Sequence, residues 1–316
     1  MTILSDTATN TIIDEIELLL AELDSHVFGK QRQVRLALCC LLARGHLLIE
    51  DLPGMGKTTL AHALAGSLGL EFNRLQFTSD LLPADVIGGS IYDRESQQFR
   101  FHPGPVFTQV LLADEINRAS PKAQSALLEA MEERQVSSDG QTHRLPEPFF
   151  VIATQNPTQL IGTFPLPESQ LDRFLMRLEL GYPDHAAERE ILRRGQQRPL
   201  DREFGQGLGK NRLFALQLLV EKVHVSDAIL DYIQLILDAS RKDSAFIQGL
   251  SPRAGIGLLA AARAWALIHG RKLVLPEDIQ AVAPGILVHR LQATTDHATA
   301  DRDQLVNKLL QRLPVP

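Results

Sequence analysis

Lys57 and Thr58 close the run Glu50-Asp51-Leu52-Pro53-Gly54-Met55-Gly56-Lys57-Thr58-Thr59, whose spacing suits phosphate binding. Gly54 and Gly56 let backbone N–H groups turn inward around phosphate oxygens, and a following helix adds its N-terminal dipole. Lys57 neutralises terminal phosphate charge, and the Thr58 hydroxyl can hold Mg²⁺. The pattern G-x-x-x-x-G-K-[ST] asks for glycine at its first position, where this chain has Asp51. That residue stands at a strand exit, before the cradle, and Asp tolerates positive φ. Its carboxylate is therefore expected to face away from the phosphates and to bond loop N–H groups.

A second constellation is the apolar run Val110-Leu111-Leu112-Ala113 ending in Asp114-Glu115. Side chains alternate along an extended strand, so one carboxylate can order a Mg²⁺ shell while the other polarises an attacking water. Ala153-Thr154-Gln155-Asn156-Pro157 ends another apolar run with polar residues. It would bring Asn156 to a sheet's carboxyl edge, where ligands of open α/β sheets bind. Alone, an Asn before Pro signals only a turn. Arg173 in LPESQLDRF and Arg253 in LSPRAG would, as lone residues, be surface arginines. Arg253 falls in the first turn of a helix, where a cation opposes the dipole, so an anionic partner is expected beside it.

These residues need elements to carry them. Val34, Leu38, Leu41 and Leu42 have helical spacing, and Gly45 and the short run His46–Glu50 follow as a buried strand. Leu60, Leu64 and Leu68 mark a helix after the loop, giving the strand, turn and helix that a phosphate loop requires. Further strands are expected at Phe72–Phe77, Val110–Ala113, Phe149–Thr154 and Leu175–Leu180. Alternating strands and helices imply a mainly parallel sheet covered on both faces. Ser120-Pro121 caps a helix running through Leu127, Leu128 and Met131. Past Tyr182-Pro183 the strand signals stop. Ser226, Ser251-Pro252 and Pro276-Glu277-Asp278 open helices of a second, smaller, all-helical unit. The expected division is an α/β core over residues 1–184 and a helical lid over 185–316.

The 316 residues, 44% hydrophobic, suffice for about two domains with real cores. A formal net charge of -6 and a pI near 5.9 argue against a broad basic surface for nucleic acid or anionic lipid. The only cysteines, Cys39 and Cys40, are adjacent on an apolar helical stretch and are expected as core thiols of a reducing compartment. With no basic leader and no long apolar span, the expected location is cytoplasmic, without direct membrane insertion.

In this order the motifs resemble those of the AAA+ ATPases, and more closely the MoxR family, over nearly the whole chain. EDLPGMGKT resembles the Walker A motif, LLADEINRA Walker B, ATQNP sensor 1, LPESQLDRF the arginine-finger segment and GLSPRA sensor 2 of the lid. Val27-Phe28-Gly29 resembles the segment near adenine. Thr78 to Phe107 resembles this clade's helix-2 insertion, and Arg134 to Pro148 its hairpin before sensor 1. The family accepts Gly or Asp where Asp51 stands.

The resemblance implies ATP hydrolysis with Mg²⁺ in a homo-oligomeric, usually hexameric, ring, and a chaperone-like role in remodelling or maturing other proteins. Separate partners with von Willebrand factor A domains are implied, and no nucleic-acid partner is expected. Pro53, Gly54, Met55, Gly56, Lys57, Thr58 and Thr59 would hold the phosphates, with Phe28 and Gly29 near the base. Thr58 and Asp114 would serve Mg²⁺, Glu115 would activate water and Asn156 would position it. Arg173 would reach the neighbour's γ-phosphate, and Arg253 would sense nucleotide in its own subunit. Arg118 is a second candidate for a trans arginine. Two rivals are a nucleic-acid motor of the same fold, marked by salt-sensitive DNA binding, and an ATP-gated scaffold with little turnover.

Overall fold

Each central strand is apolar on both sides, and each side feeds a different core. The strands are β1 (Leu47–Glu50), β2 (Phe72–Gln76), β5 (Val110–Asp114), β8 (Phe150–Gln155) and β9 (Met176–Leu178), with β3 (Gly88–Asp93), β4 (Gln98–Pro103), β6 (Gln135–Ser138) and β7 (Gln141–Arg144) in two side hairpins. Leu47, Ile49, Val110, Leu112, Phe150 and Ile152 point to one core, while Leu48, Leu111, Ala113, Val151 and Ala153 point to the other. This is the period-2 alternation of a sheet buried on both faces. The computed structural model describes residues 6–95, 97–157, 162–195, 204–205, 207–294 and 301–315. The five main strands are parallel in the order β2-β5-β8-β1-β9. All five expected strands form.

The helices are α1 (Asp6–His26), α2 (Gln31–Leu42), α3 (Lys57–Leu68), α4 (Pro83–Ile87), α5 (Pro121–Glu133), α6 (Glu168–Leu171), α7 (His185–Arg194), α8 (Lys210–Lys222), α9 (Asp227–Lys242), α10 (Pro252–Ile268), α11 (Pro276–Leu287) and α12 (Arg302–Gln311). Helices α1, α2 and α3 cover one face of the sheet and α5 the other. The lid helices α8 to α12 join the first core through residues such as Leu216, Ile236, Leu258 and Val282, so lid and sheet share one apolar cluster. Cys39 and Cys40 are buried, unoxidised members of it.

Caps set the helix starts. Ser120 Oγ accepts from Ala123 N at 3.4 Å and Ser251 Oγ from Ala254 N at 3.3 Å, with Pro at the first helical position in both. Ser226 stands at the N-cap of α9 but makes no side-chain cap bond. The insertion between β2 and β5 is α4 with the β3–β4 hairpin, and β6–β7 is the hairpin between α5 and β8. The two hairpins meet where Phe101 stacks on His143, centroids 3.8 Å apart.

Candidate functional site

The loop from β1 to α3 turns at Gly54 (φ 84) and Gly56 (φ 89), and a Cβ added at either would meet no atom within 4 Å. Glycine is needed there for the left-handed backbone, and the space over the two Cα atoms, the hollow of the loop, is open. Gly56 is the N-cap of α3, whose first turn holds no acidic residue and no side-chain cap bond. The orphan N–H groups of that turn can therefore serve an anion. Lys57 Nζ donates to the carbonyls of Asp51 (2.6 Å) and Leu52 (3.1 Å). Burial lowers the Lys57 pKa, while Asp51, Asp114 and Glu115 push it back up.

Asp51 is buried, and its carboxylate points away from the hollow. Oδ1 accepts from Leu52 N at 2.8 Å, and Oδ2 accepts from Leu180 N and Gly181 N, both at 2.7 Å. A carboxylate here ties the phosphate loop to the chain leaving β9 for the lid, which resolves the oddity of an acid in this motif.

Asp114 and Glu115 end β5 beside β8. Thr154, fully buried on β8, donates from Oγ1 to Asp114 Oδ1 at 2.6 Å and accepts from Glu115 N at 2.9 Å. One hydroxyl thus orients both acidic residues. Arg74 of β2 donates from Nη2 (2.7 Å) and Nε (3.2 Å) to Asp114 Oδ2. Glu115 Oε2 accepts from Gln76 Nε2 (3.0 Å) and Arg118 Nη1 (2.8 Å). Glu115 has φ 56, a left-handed backbone uncommon outside glycine that turns the chain into a 3-10 turn at Ile116–Arg118. Buried Asn156 follows β8, and its carbonyl accepts from Asn117 Nδ2 at 3.5 Å. Thr154, Arg74 and Gln76 escaped the sequence reading; only strand order makes them neighbours of the two acids.

Beside the loop, Glu50 accepts from both Gln155 Nε2 and Arg177 Nε, and Arg177 Nη1 continues to Asp303 of α12 at 3.0 Å. Phe28 and Gly29 lie in the turn between α1 and α2. A Cβ on Gly29 (φ 67) would sit 2.6 Å from Ala187 Cβ of α7, so this turn packs tightly on the start of α7. Lys30 Nζ secures it by donating to the Tyr182 carbonyl at 2.7 Å.

Arg173 and Arg253 lie elsewhere. Arg173 Nη2 and Arg253 Nη1 share the Glu132 carboxylate, at 2.9 and 3.3 Å, and Arg253 Nε is 4.0 Å from Asp172. With Gly45 and His46 they line a cavity of about 300 Å³. Gly45 and His46 precede β1 and the phosphate loop follows it, so the arginines sit at the opposite edge of the sheet. Four residues of parallel strand separate those edges by about 13 Å. The anionic partner expected for Arg253 is present, as Glu132. In this structure Arg253 stands apart from the phosphate loop of its own chain, because the N-terminus of α10 docks on the far edge. His46, at that edge, accepts from Val151 N at Nδ1 (3.0 Å), which leaves Nε2–H to donate to the Met131 carbonyl (3.3 Å). Burial lowers its pKa to about 4.

The clear hollow, the free N–H groups of α3, the Lys57 ammonium and the nearby Asp114 and Thr58 oxygens fit a polyphosphate accompanied by a divalent cation. No helix among the described residues is long and apolar enough to cross a membrane.

Comparison with known proteins agrees with this geometry. Residues 46–176 match the family described as ATPase family associated with various cellular activities (AAA), and residues 238–309 match the AAA lid domain. The chain is 45% identical over 290 residues to the uncharacterized protein YeaC of Bacillus subtilis (strain 168), spanning 91% of each chain. It is 41% identical over 317 residues to Chaperone MoxR1 of Mycobacterium tuberculosis, spanning 96% of this chain and 83% of that one. Among solved structures, a protein of Cytophaga hutchinsonii ATCC 33406, assigned provisionally as an ATPase, superposes with a TM-score of 0.88 at 36% identity, over 98% of this chain and 97% of that one.

Proposed function

The chain belongs to the MoxR family of AAA ATPases, and on that premise we propose that it hydrolyses ATP, with Mg²⁺, at a site completed by a neighbouring subunit. The charged machinery is split between two edges of the sheet, and that split carries the proposal. The hollow, Lys57, Asp114 and Glu115 occupy the carboxyl edge, while Arg173 and Arg253 occupy the other. Head-to-tail contacts in a closed ring, here a hexamer, bring one edge against the other.

In this site Lys57 exchanges the Asp51 and Leu52 carbonyls for phosphate oxygens, and the loop from Pro53 to Thr59 supplies N–H donors. Phe28 and Gly29 flank the base. Thr58 and Asp114 would hold Mg²⁺, which when bound would neutralise charge on the phosphate oxygens. Arg74 releases Asp114 Oδ2 for that purpose. Glu115, released from Gln76 and Arg118, accepts a proton from the attacking water, and Asn156 holds that water in line. Arg173 and Arg253 leave Glu132 to stabilise charge on the neighbour's terminal phosphate, which revises the same-subunit role expected of Arg253.

The activity serves a chaperone-like remodelling or maturation role, in keeping with the name of the Mycobacterium tuberculosis relative. A separate protein with a von Willebrand factor A domain is the proposed partner, the cytoplasm the proposed location, and residues 1–184 and 185–316 the proposed functional division. Phosphate release tests the chemistry. Lys57→Ala is expected to lose turnover through binding, and Glu115→Gln to lose turnover while still holding ATP. A parental rate in Glu115→Gln would remove Glu115 as the base, and absence of Mg²⁺-dependent turnover in the parent would overturn the proposal.

A further inference from the structure

Arg290, in the turn after α11, has all five guanidinium N–H donors within reach of oxygens. Four of those five oxygens belong to the segment Asp172–Leu175 that carries Arg173. Nε donates to Asp172 Oδ1 at 2.6 Å, and Nη2 to the carbonyls of Asp172 (3.2 Å) and Phe174 (2.7 Å). Nη1 donates to the carbonyls of Leu175 (3.1 Å) and Ile286 (2.6 Å). His289 Nε2 lies 2.8 Å from Nη1 and 2.9 Å from the Phe174 carbonyl, closing the cluster.

The Arg290 side chain is only 6% exposed. A buried cation is tolerable where its donors are matched, and here they are. The matched groups bracket one residue: the carbonyls before and after Arg173 are both fixed by Arg290, while among the described residues the Arg173 side chain is held only by its exposed partner Glu132. A guanidinium placed merely to attach lid to core has no need to grip both sides of that position. Lysine could not replace it, having three donors and no planar fork.

We propose that Arg290 is a positioning residue that sets the reach of Arg173, so that the lid of one subunit governs hydrolysis in the next. The inference rests on the shared-site function proposed above, and mixing inactive variants separates the two.

An interface is competent when its phosphate-loop subunit keeps Glu115 and its neighbour keeps a correctly held Arg173. Arg290→Lys is expected to bind ATP and assemble normally while turnover falls about 10²-fold, the effect of a misplacement near 1 Å. Mixed equally with Glu115→Gln, it should recover up to about one interface in four, because half the loops and half the fingers are sound and a head-to-tail ring pairs them at random. Mixed with Arg173→Ala, it should recover nothing, since both lack a working finger. Asp172→Asn removes the carboxylate that anchors Nε and is the second variant should Arg290→Lys fail to fold. It should show the same pattern with a smaller loss.

Near-parental turnover in the folded variants would overturn the proposal. So would an assembled but inactive Arg290→Lys that Glu115→Gln does not rescue while Arg173→Ala is rescued. If Arg173→Ala itself is not rescued by Glu115→Gln, the shared site fails and the role of Arg290 falls with it.

Discussion

Replacing Asp51 with alanine separates stability from nucleotide affinity. The carboxylate accepts three N–H bonds, from Leu52 at 2.8 Å and from Leu180 and Gly181 at 2.7 Å. Leu180 is 2% exposed, so its amide would be left without water or a partner. A buried donor left unsatisfied costs about 1–3 kcal/mol, and bonds to a charged group are worth about 1.5–3 kcal/mol each. Leu52, half-buried at the loop's mouth, can turn to solvent, so the main loss is at Leu180 and Gly181. Together these predict a destabilisation of about 2–5 kcal/mol, read as a lower midpoint in urea unfolding of the nucleotide-free protein. No phosphate contact is altered, so ATP affinity should stay within about tenfold, or about 1.4 kcal/mol. Binding of a fluorescent ATP analogue, titrated well below the unfolding midpoint, measures that half. Unchanged stability together with much tighter nucleotide binding would refute the reasoning, since it would mean that the carboxylate faces the phosphates and repels them.

His46 makes stability depend on pH. Its folded pKa of about 4 lies below the ordinary histidine value of about 6.5, so the unfolded chain binds more protons between those values. Its contribution is complete above pH 6.5 and declines as pH falls toward 4, a loss of about 3 kcal/mol. Buried His289, also shifted down, adds with the same sign. Urea unfolding between pH 6.5 and 4 should show a shallower slope for His46→Gln, which can still accept from Val151 and donate to Met131. Equal slopes would remove His46 as a source. Thr154→Val keeps the shape of the residue and removes the hydroxyl that bonds both Asp114 Oδ1 and Glu115 N. It should lower kcat tenfold or more with little change in ATP affinity, and an unchanged kcat would mean that the two carboxylates hold their places without it.

The sheet was legible because its strands are short, contiguous apolar runs, and the phosphate loop because its glycines and Lys57 must be consecutive in the chain to work. Helix α1 was also within reach, since Ile12, Ile16, Leu19, Leu20 and Leu23 are buried at helical spacing, but its polar residues masked that period. Other features depend on which strands are neighbours. Gln76 faces Asp114 only because β2 pairs β5 in register, and Thr154 reaches the Asp114 carboxylate and the Glu115 N–H only because β8 lies beside β5. The direction of the Asp51 side chain could be anticipated from its position before the cradle, whereas its partners, Leu180 and Gly181, lie about 130 residues away. The position of Arg253 was hidden for the same reason: a cap motif tells where α10 begins, and only lid docking tells which edge of the sheet it faces.

The central claim is that each active site is assembled from two subunits. Its most direct test is turnover per subunit measured across a dilution series, with molecular mass followed by sedimentation in the same ATP and Mg²⁺. Turnover should fall as rings dissociate, tracking the fraction of assembled interfaces. Constant turnover per subunit in a protein that sediments as a monomer would contradict the account, because Arg173 and the phosphate hollow of one chain lie at opposite edges of the same sheet.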